Sequence, residues 1–357
     1  MTTRHPFPSL ARHGSGVPGS LFRGATTRLH VLKDEARMPS LPAALLDEAR
    51  LVEGILSSCD MESATLQFLA QGSTSRVWRA DTRRGPVVIR LSDPAPGKAA
   101  RFDADAGVRA RLYQAGERVA EPLAMGRANR AIPHEGLDVL WCVDRFIAGQ
   151  AAPRGAIPER VCRDLGRVLS CLHALPASHY GLLEDRRDVL QGQEYDAVAG
   201  LLTRLQDPWP FTPFALEAHP FAKAAPDLRE HLAPLEDRLR AVVVRQPGCA
   251  SHTDLHGGQL LIADGRLVGL LDFGDATIGP PWWDIASFAY FHGWHLAKEV
   301  LTGYTLDPDS RREILAKARL FAILIALHHA SRSITLQRPR RMQDALCFLR
   351  LTLAGEV

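Results

Sequence analysis

Several signals are missing from this chain. Its six cysteines (Cys59, Cys142, Cys162, Cys171, Cys249 and Cys347) are scattered, with no CxxC pair and no secretory signal, so neither a thiolate metal centre nor a disulfide framework is indicated. A reducing cytoplasm is the expected setting. No block of one charge sign occurs: 43 basic and 40 acidic residues leave a net charge of +3 without a basic stripe, which argues against nucleic acid or a membrane surface as partner. The longest apolar run, LFAILIAL from Leu320 to Leu327, is far short of the roughly 20 residues that span a bilayer. No internal repeat is present.

What remains is a composition of 46% hydrophobic and 23% charged residues over 357 positions, enough for two packed units with their own cores. Residues 1–39 differ from the rest. They carry Arg4, Arg12, Arg23, Arg28 and Lys33 but no acid before Asp34, a composition that also suits a transit peptide. Their prolines and glycines oppose the amphipathic helix such a peptide needs, and a structureless tail is expected. Helical spacing begins after Ser40, a candidate cap, with Leu45, Leu46, Ala49, Val52, Ile55 and Leu56.

From Ala64 to Leu91 the period changes to two, and the chain reads as an antiparallel meander of three strands. Its first turn, Gln71-Gly72-Ser73-Thr74-Ser75, has small residues whose backbone N–H groups could approach a phosphate; the bland alternative is an ordinary hairpin loop. A helix is expected over Ala99 to Gln114 with Phe102, Val108 and Leu112 in its core. A strongly apolar strand follows at Val139 to Val143, and Asp144 to Gly149 reads as a linker. These features divide the chain into an N-terminal lobe at 40–148 and a mainly helical lobe at 149–357.

In the second lobe, Glu159 to Leu175 has the pattern of a core helix, and its His173 reads as a packing or capping residue. Residues 184–240 hold 11 acids against 7 lysines and arginines, an excess that points to a cationic small-molecule partner. Then comes SHTDLHGGQLLI, from Ser251 to Ile262, a hairpin turning at Asp264-Gly265, and about three C-terminal helices. His252, Asp254 and His256 form HxDxH, which keeps a metal-dependent hydrolase open, although the spacing sets no two histidines one helical turn apart. Phosphoryl transfer accounts for more residues. It needs a carboxylate to take the acceptor's proton, oxygen ligands for magnesium and a cation on the nucleotide phosphates.

HTDLHGGQ, LLDFGD and GPPWWDIA together resemble the aminoglycoside phosphotransferase and choline kinase family, over about Ala64 to the C-terminus. The resemblance implies an α+β, bilobal protein-kinase-like fold with a small antiparallel sheet lobe and a larger helical lobe, together with ATP or GTP and Mg2+ as cofactors. It implies Asp254 as catalytic base, His252 as the brace of its loop, Asp272 as magnesium ligand and Asp284 as the buried aspartate that holds the loop. Gly72, Ser73, Thr74 and Ser75 fall at the nucleotide loop. Arg90 stands where such kinases carry lysine and Asp105 where they carry glutamate; a longer base and a shorter acid could span a similar gap. Gln259 replaces the metal-binding asparagine, keeping its amide oxygen on a stem one methylene longer. His256 suits either a site-lining role or loop packing, and Trp282 and Trp283 read as packing residues. The implied activity is transfer of a nucleotide's γ-phosphate to a hydroxyl of a small molecule such as an aminoglycoside, another amino sugar or an amine. Antibiotic inactivation and biosynthesis are equally compatible roles, and a catalytically silent binding protein of the same fold is the rival. Nothing in the sequence indicates an oligomeric state.

Overall fold

The computed structural model describes residues 31–32, 43–72, 74–92, 100–130, 137–153, 156–244 and 247–355. Most of the expected tail, and the candidate cap Ser40, lie outside these residues. Val31–Leu32 form a short strand, β1, that pairs antiparallel with β2 (Ser63–Gln71). β2 continues into β3 (Ser75–Thr82) and β4 (Gly85–Ser92), the meander that the alternation predicts. β5 (Pro122–Arg130) and β6 (Leu137–Arg145) complete a six-stranded antiparallel sheet ordered β1-β2-β3-β4-β6-β5. β5 carries no simple sequence signal. It opens with Pro122 and contains Gly126, yet it is an edge strand, where a proline at the first position costs no ladder bond. At Gly126 a Cβ would stand 2.7 Å from the Trp141 ring.

Period-two alternation gives this sheet two different faces. Val87, Ile89 and Leu91 of β4 point with Leu66, Trp78, Val139 and Val143 toward α1 (Ala43–Ser58), whose Val52, Ile55 and Leu56 complete an apolar core. Buried Glu48 on α1 accepts from Trp78 Nε1 at 2.7 Å and pairs with Arg76 at 2.7 Å, which fixes the helix on the sheet. The other parity, Arg90 on β4 with Cys142 and Asp144 on β6, lies on the side covered by α2 (Phe102–Gln114). Asp144, expected at the start of a linker, is thus a buried strand residue; β6 extends to Arg145.

The second lobe is built on α3 (Glu159–His173), followed by short strands β8 (Tyr180–Leu183) and β9 (Gly192–Glu194), with β7 (Gln150–Ala151) preceding it. Helices α4 (Ala197–Arg204), α5 (Pro220–Ala224), α6 (Leu228–Leu232) and α7 (Glu236–Val244) lead to strands β10 (Cys249–Ser251), β11 (Leu260–Ala263), β12 (Arg266–Leu270) and β13 (Thr277–Gly279). Four helices follow where about three are expected: α8 (Trp283–His292), α9 (Trp294–Thr302), α10 (Pro308–Thr335) and α11 (Pro339–Ala354). By length and composition α10 could cross a membrane, but 72% of its most apolar stretch is buried inside the fold. It carries the Leu320–Leu327 run as the centre of the core, packed against α8 and α11.

α2 is fastened to this second lobe. The Ala104 N–H donates to Asp185 Oδ1 at 2.9 Å, and Arg111 donates to the carbonyls of Arg187 at 2.9 Å and Asp188 at 2.6 Å. Gly107 permits the close approach, since a Cβ there would lie 3.0 Å from the Arg187 backbone.

The strand pairing positions two loops side by side. β10 pairs with β13, matching Ser251 to Thr277, and β11 pairs with β12, matching Leu260 to Leu270. Residues 252–259 leave one paired strand and enter the other, while 271–276 do the reverse. Both loops are therefore clamped at each end.

Candidate active site

The first loop is fixed by a buried carboxylate. Asp284, at the start of α8, accepts from the backbone N–H of His252 at 3.0 Å and of Thr253 at 2.8 Å, and its Oδ2 lies 3.0 Å from His173 Nε2. Burial alone would raise the Asp284 pKa, but the His173 bond and nearby histidine charge, with the Thr253 N–H, hold it below the ordinary carboxylate range. His173 is thus neither simple packing nor a cap: it is the partner of Asp284.

Thr253 has a positive φ of 66°, costly for a β-branched residue. Three further contacts maintain it: Thr253 Oγ1 donates to Asp275 O at 3.0 Å, Arg204 Nε donates to that hydroxyl at 3.2 Å, and Ser287 Oγ donates to Thr253 O at 2.9 Å. Strain held this firmly beside a candidate base points to function. Its result is that Asp254 projects from the loop with its side chain 32% exposed.

His252 is fully engaged. Its Nε2 donates to Leu271 O at 2.8 Å and its Nδ1 accepts from the Asp254 N–H at 3.3 Å, with the ring against Phe273. No lone pair remains for a metal, and among the described residues no group of three His, Cys, Asp or Glu side chains could hold one. The zinc-hydrolase alternative therefore finds no ligand set here.

Across the loops, Asp272 also has a positive φ, 64°. Its carboxyl is pushed upward first by burial and then by the charge of Asp105, against the opposing influence of Arg90 and His252. Gln259 Nε2 lies 3.1 Å from Asp272 Oδ2 and 3.2 Å from His256 Nε2. Gln259 thus meets Asp272 across the adjoining loops, and His256 links them to Asp254, whose Oδ2 lies 3.8 Å from His256 Nε2.

Arg90 is held in a cluster of four buried charges. Its Nη2 donates to Asp105 Oδ2 at 2.5 Å and its Nε to Asp144 Oδ2 at 3.0 Å. Arg109, one turn after Asp105, binds both carboxylates, at 2.7 Å and 2.8 Å. Asp105 Oδ1 also accepts the Phe273 N–H at 2.8 Å, connecting the cluster to the Asp272 loop. The cluster pulls the Asp105 carboxyl down and raises both arginines despite burial. Burial, followed by the Asp144 charge, pushes the adjoining Cys142 thiol up to about 12, so it stays neutral.

At the β2–β3 turn, Gly72 donates its N–H to Ser75 O at 2.7 Å, closing the turn. Ser75 opens β3 with Thr74 in the bend just before it, and Ser73 lies outside the described residues. Trp282 and Trp283 are buried packing residues, each 2% exposed.

Arg109, Asp144, His173 and Arg101 did not stand out as functional residues in the sequence. The i,i+4 spacing to Asp105 signals Arg109, and the shared strand parity with Cys142 signals Asp144. Arg101, just before α2, has both terminal guanidinium nitrogens buried with no hydrogen-bond partner, within the charge influence of Asp185 and Asp275.

A sequence profile described as the phosphotransferase enzyme family matches residues 65–314. The chain belongs to that family. The match spans the Gly72 turn, the Arg90 cluster and both clamped loops of this phosphotransferase. No curated protein matches it. Among solved structures it is similar to aminoglycoside phosphotransferase APH(4)-Ia bound to AMP-PNP and hygromycin B, at 18% identity and a TM-score of 0.61, covering 85% of this chain and 98% of that one. It is also similar to APH(2″)-IIIa bound to GDP and kanamycin, at 15% identity, TM-score 0.53 and coverage of 87% and 99%. Spectinomycin phosphotransferase APH(9)-Ia, with ADP and spectinomycin, follows at 14% identity, TM-score 0.51 and coverage of 84% and 93%. These likenesses establish the bilobal protein-kinase-like fold.

The hydrogen bonds of the phosphotransferase test whether magnesium suits its residues. Gly258 N–H donates to His256 Nδ1 at 3.0 Å, which places the neutral ring's proton on Nε2. The contact of Nε2 with Gln259 is then a hydrogen bond only when the amide oxygen faces it, a 180° amide rotation that keeps the heavy atoms in place. The same rotation sets that oxygen beside Asp272 Oδ2. A divalent cation stabilises two such oxygens, so the donor set fits.

Proposed function

We propose that this phosphotransferase moves the γ-phosphate of a nucleoside triphosphate, ATP or GTP, to a hydroxyl of a small molecule. The observation that carries the reading is the placement of Asp254. It is a half-buried carboxylate on a loop whose neighbouring backbone is pinned by Asp284 and Ser287, linked through His256 to Gln259 and so to Asp272.

In this reading Asp254 orients the acceptor hydroxyl and takes its proton as the oxygen attacks phosphorus. His252 and Asp284 keep the base in position. Asp272 and Gln259 would hold magnesium, which when bound neutralises charge on the phosphate oxygens. Arg90, already oriented by two carboxylates, keeps N–H groups for the nucleotide phosphates, and Arg101 supplies a second cation from the start of α2. The Gly72 to Ser75 turn would cover the phosphates. Aminoglycosides are one acceptor class, found in the related structures, but the charges beside Asp254 favour another.

Asp254→Asn removes the base and leaves the nucleotide contacts. Turnover should fall ~10²- to 10⁴-fold while nucleotide binding persists. Near-parental turnover would sink the assignment, and nucleotide binding without transfer in the parent itself would favour the silent-protein reading.

A further inference from the structure

Resting on the phosphotransfer reading, we propose that the acceptor is a small alcohol that also carries an anionic group, a carboxylate or a phosphate ester, and that Arg341 receives that group. A continuous set of side chains leads there from the base. Asp254 Oδ2 lies 3.8 Å from His256 Nε2. The His256 ring meets Phe291 edge-on at 5.8 Å between centroids, and Phe291 meets His329 at 5.9 Å. His329 stacks on Tyr290 at 4.0 Å, and its Nδ1 accepts from Arg341 Nε at 3.0 Å and lies 2.5 Å from Arg341 Nη2.

An imidazole therefore occupies one edge of the Arg341 fork and leaves Nη1 for something else. Among the described residues Arg341 forms no ion pair with a carboxylate. Arg332 on α10 is in the same condition, and its buried Nε has no hydrogen-bond partner. The charges acting on Arg341 include those of Arg332 and Arg338, opposed by that of Asp254. Burial, the largest influence, disfavours its charged form. The third nearby arginine, Arg204, is already matched by Asp275 at 3.2 Å.

A partly desolvated guanidinium without a carboxylate is costly unless a ligand completes the pair, and its planar fork suits carboxylate and phosphate oxygens. A polycationic acceptor would instead bring like charges together. Several acids of 184–240 are spent on local partners. Asp196 caps α4 through Val198 N–H at 3.0 Å, Asp188 pairs with Arg186 at 2.8 Å, Asp227 with Arg350 at 2.9 Å and Glu236 with Arg240 at 2.9 Å. Two histidines beside Arg341 stay neutral, because burial lowers the pKa of both His328 and His329.

The test uses the full chain with magnesium and ATP or GTP. Nucleotide consumption is measured with hydroxy acids, phosphorylated polyols, the neutral ester or dephosphorylated counterpart of each, and aminoglycosides. The expected result is a KM at least about tenfold lower for an anionic acceptor than for its neutral counterpart, from one charge-assisted contact. Whether hydroxy acids or phosphate esters show the effect identifies the anion. Arg341→Met should collapse that ratio toward one, and Arg341→Lys should restore part of it. Preference for aminoglycosides, or an unchanged ratio in Arg341→Met, overturns the proposal. Calorimetric titration with the same acids separates it from the reading beneath it. Anion binding that needs Arg341 but never leads to transfer would overturn phosphotransfer and leave the anion site standing.

Discussion

Arg90→Lys tests the buried charge cluster, because lysine is the residue expected at this position in a protein-kinase-like fold. Lysine keeps the charge but not the fork. Arg90 uses Nη2 for Asp105 and Nε for Asp144, on different strands and helices, and one ammonium cannot reproduce both directions. Arg109 still binds each carboxylate, so neither is stranded and the loss is one buried charge-assisted bond, about 2 kcal/mol. Arg90→Met leaves two carboxylates to one guanidinium and should cost about 3–5 kcal/mol. Urea unfolding of the parent and both variants measures these losses, while the nucleotide KM reports the phosphate contact. Replacing Asp105 by Glu in the lysine variant should recover only part of the stability, because Asp144 keeps its unfilled direction; a double-mutant cycle isolates that term. A lysine variant as stable as the parent would refute this account of why arginine stands here.

The two loops and the buried histidines give further tests. Gln259→Asn should retain measurable transfer because the amide oxygen survives, whereas Gln259→Leu should lower it ~10- to 100-fold, most at limiting magnesium; equal magnesium curves for all three proteins would remove Gln259 from the metal site. Asp284→Asn should lower kcat about 10²-fold by releasing the Asp254 loop, with nucleotide KM unchanged, and an unaltered kcat would count against the brace. His219 is buried, and burial holds its pKa at about 4 against an ordinary 6.5. The unfolded chain therefore binds the proton first: His219's contribution is present above pH 6.5 and is lost as pH falls toward 4, by about 3 kcal/mol. His219→Gln should flatten stability between those pH values, and an identical acid slope in both proteins would refute the assignment.

The meander was legible because alternation is a local signal, and so was the core helix α3 with its apolar stripe. The loop residues stood out through their short-range spacing. What stayed hidden depends on pairing across distance. Asp144 becomes a partner of Arg90 only through the β4–β6 register, which a strand's own residues do not declare. His173 meets Asp284 across 111 positions, and Arg341 approaches Asp254 only after α11 folds back along α10. The negative charge of 184–240 belongs to the segment as a whole, and folding places several of its acids on local arginines and a helix cap. Composition records charge, whereas recognition depends on which charges are left unmatched in space.

The fastening of α2 makes one mechanical unit of the charge cluster and the second lobe. Its first turn is bonded to Asp185, its middle is seated through Gly107 on the backbone at 186–187, and Arg111 is tied to two carbonyls of the same segment. Asp105 then ties it to the Phe273 N–H beside the candidate metal ligand. Any shift of the helix breaks several contacts at once. Displacing α2 therefore means breaking its bonds to Asp185, to the Arg187 and Asp188 carbonyls and to the Phe273 N–H together, so the buried charge cluster and the Asp272 loop move as one body with the second lobe.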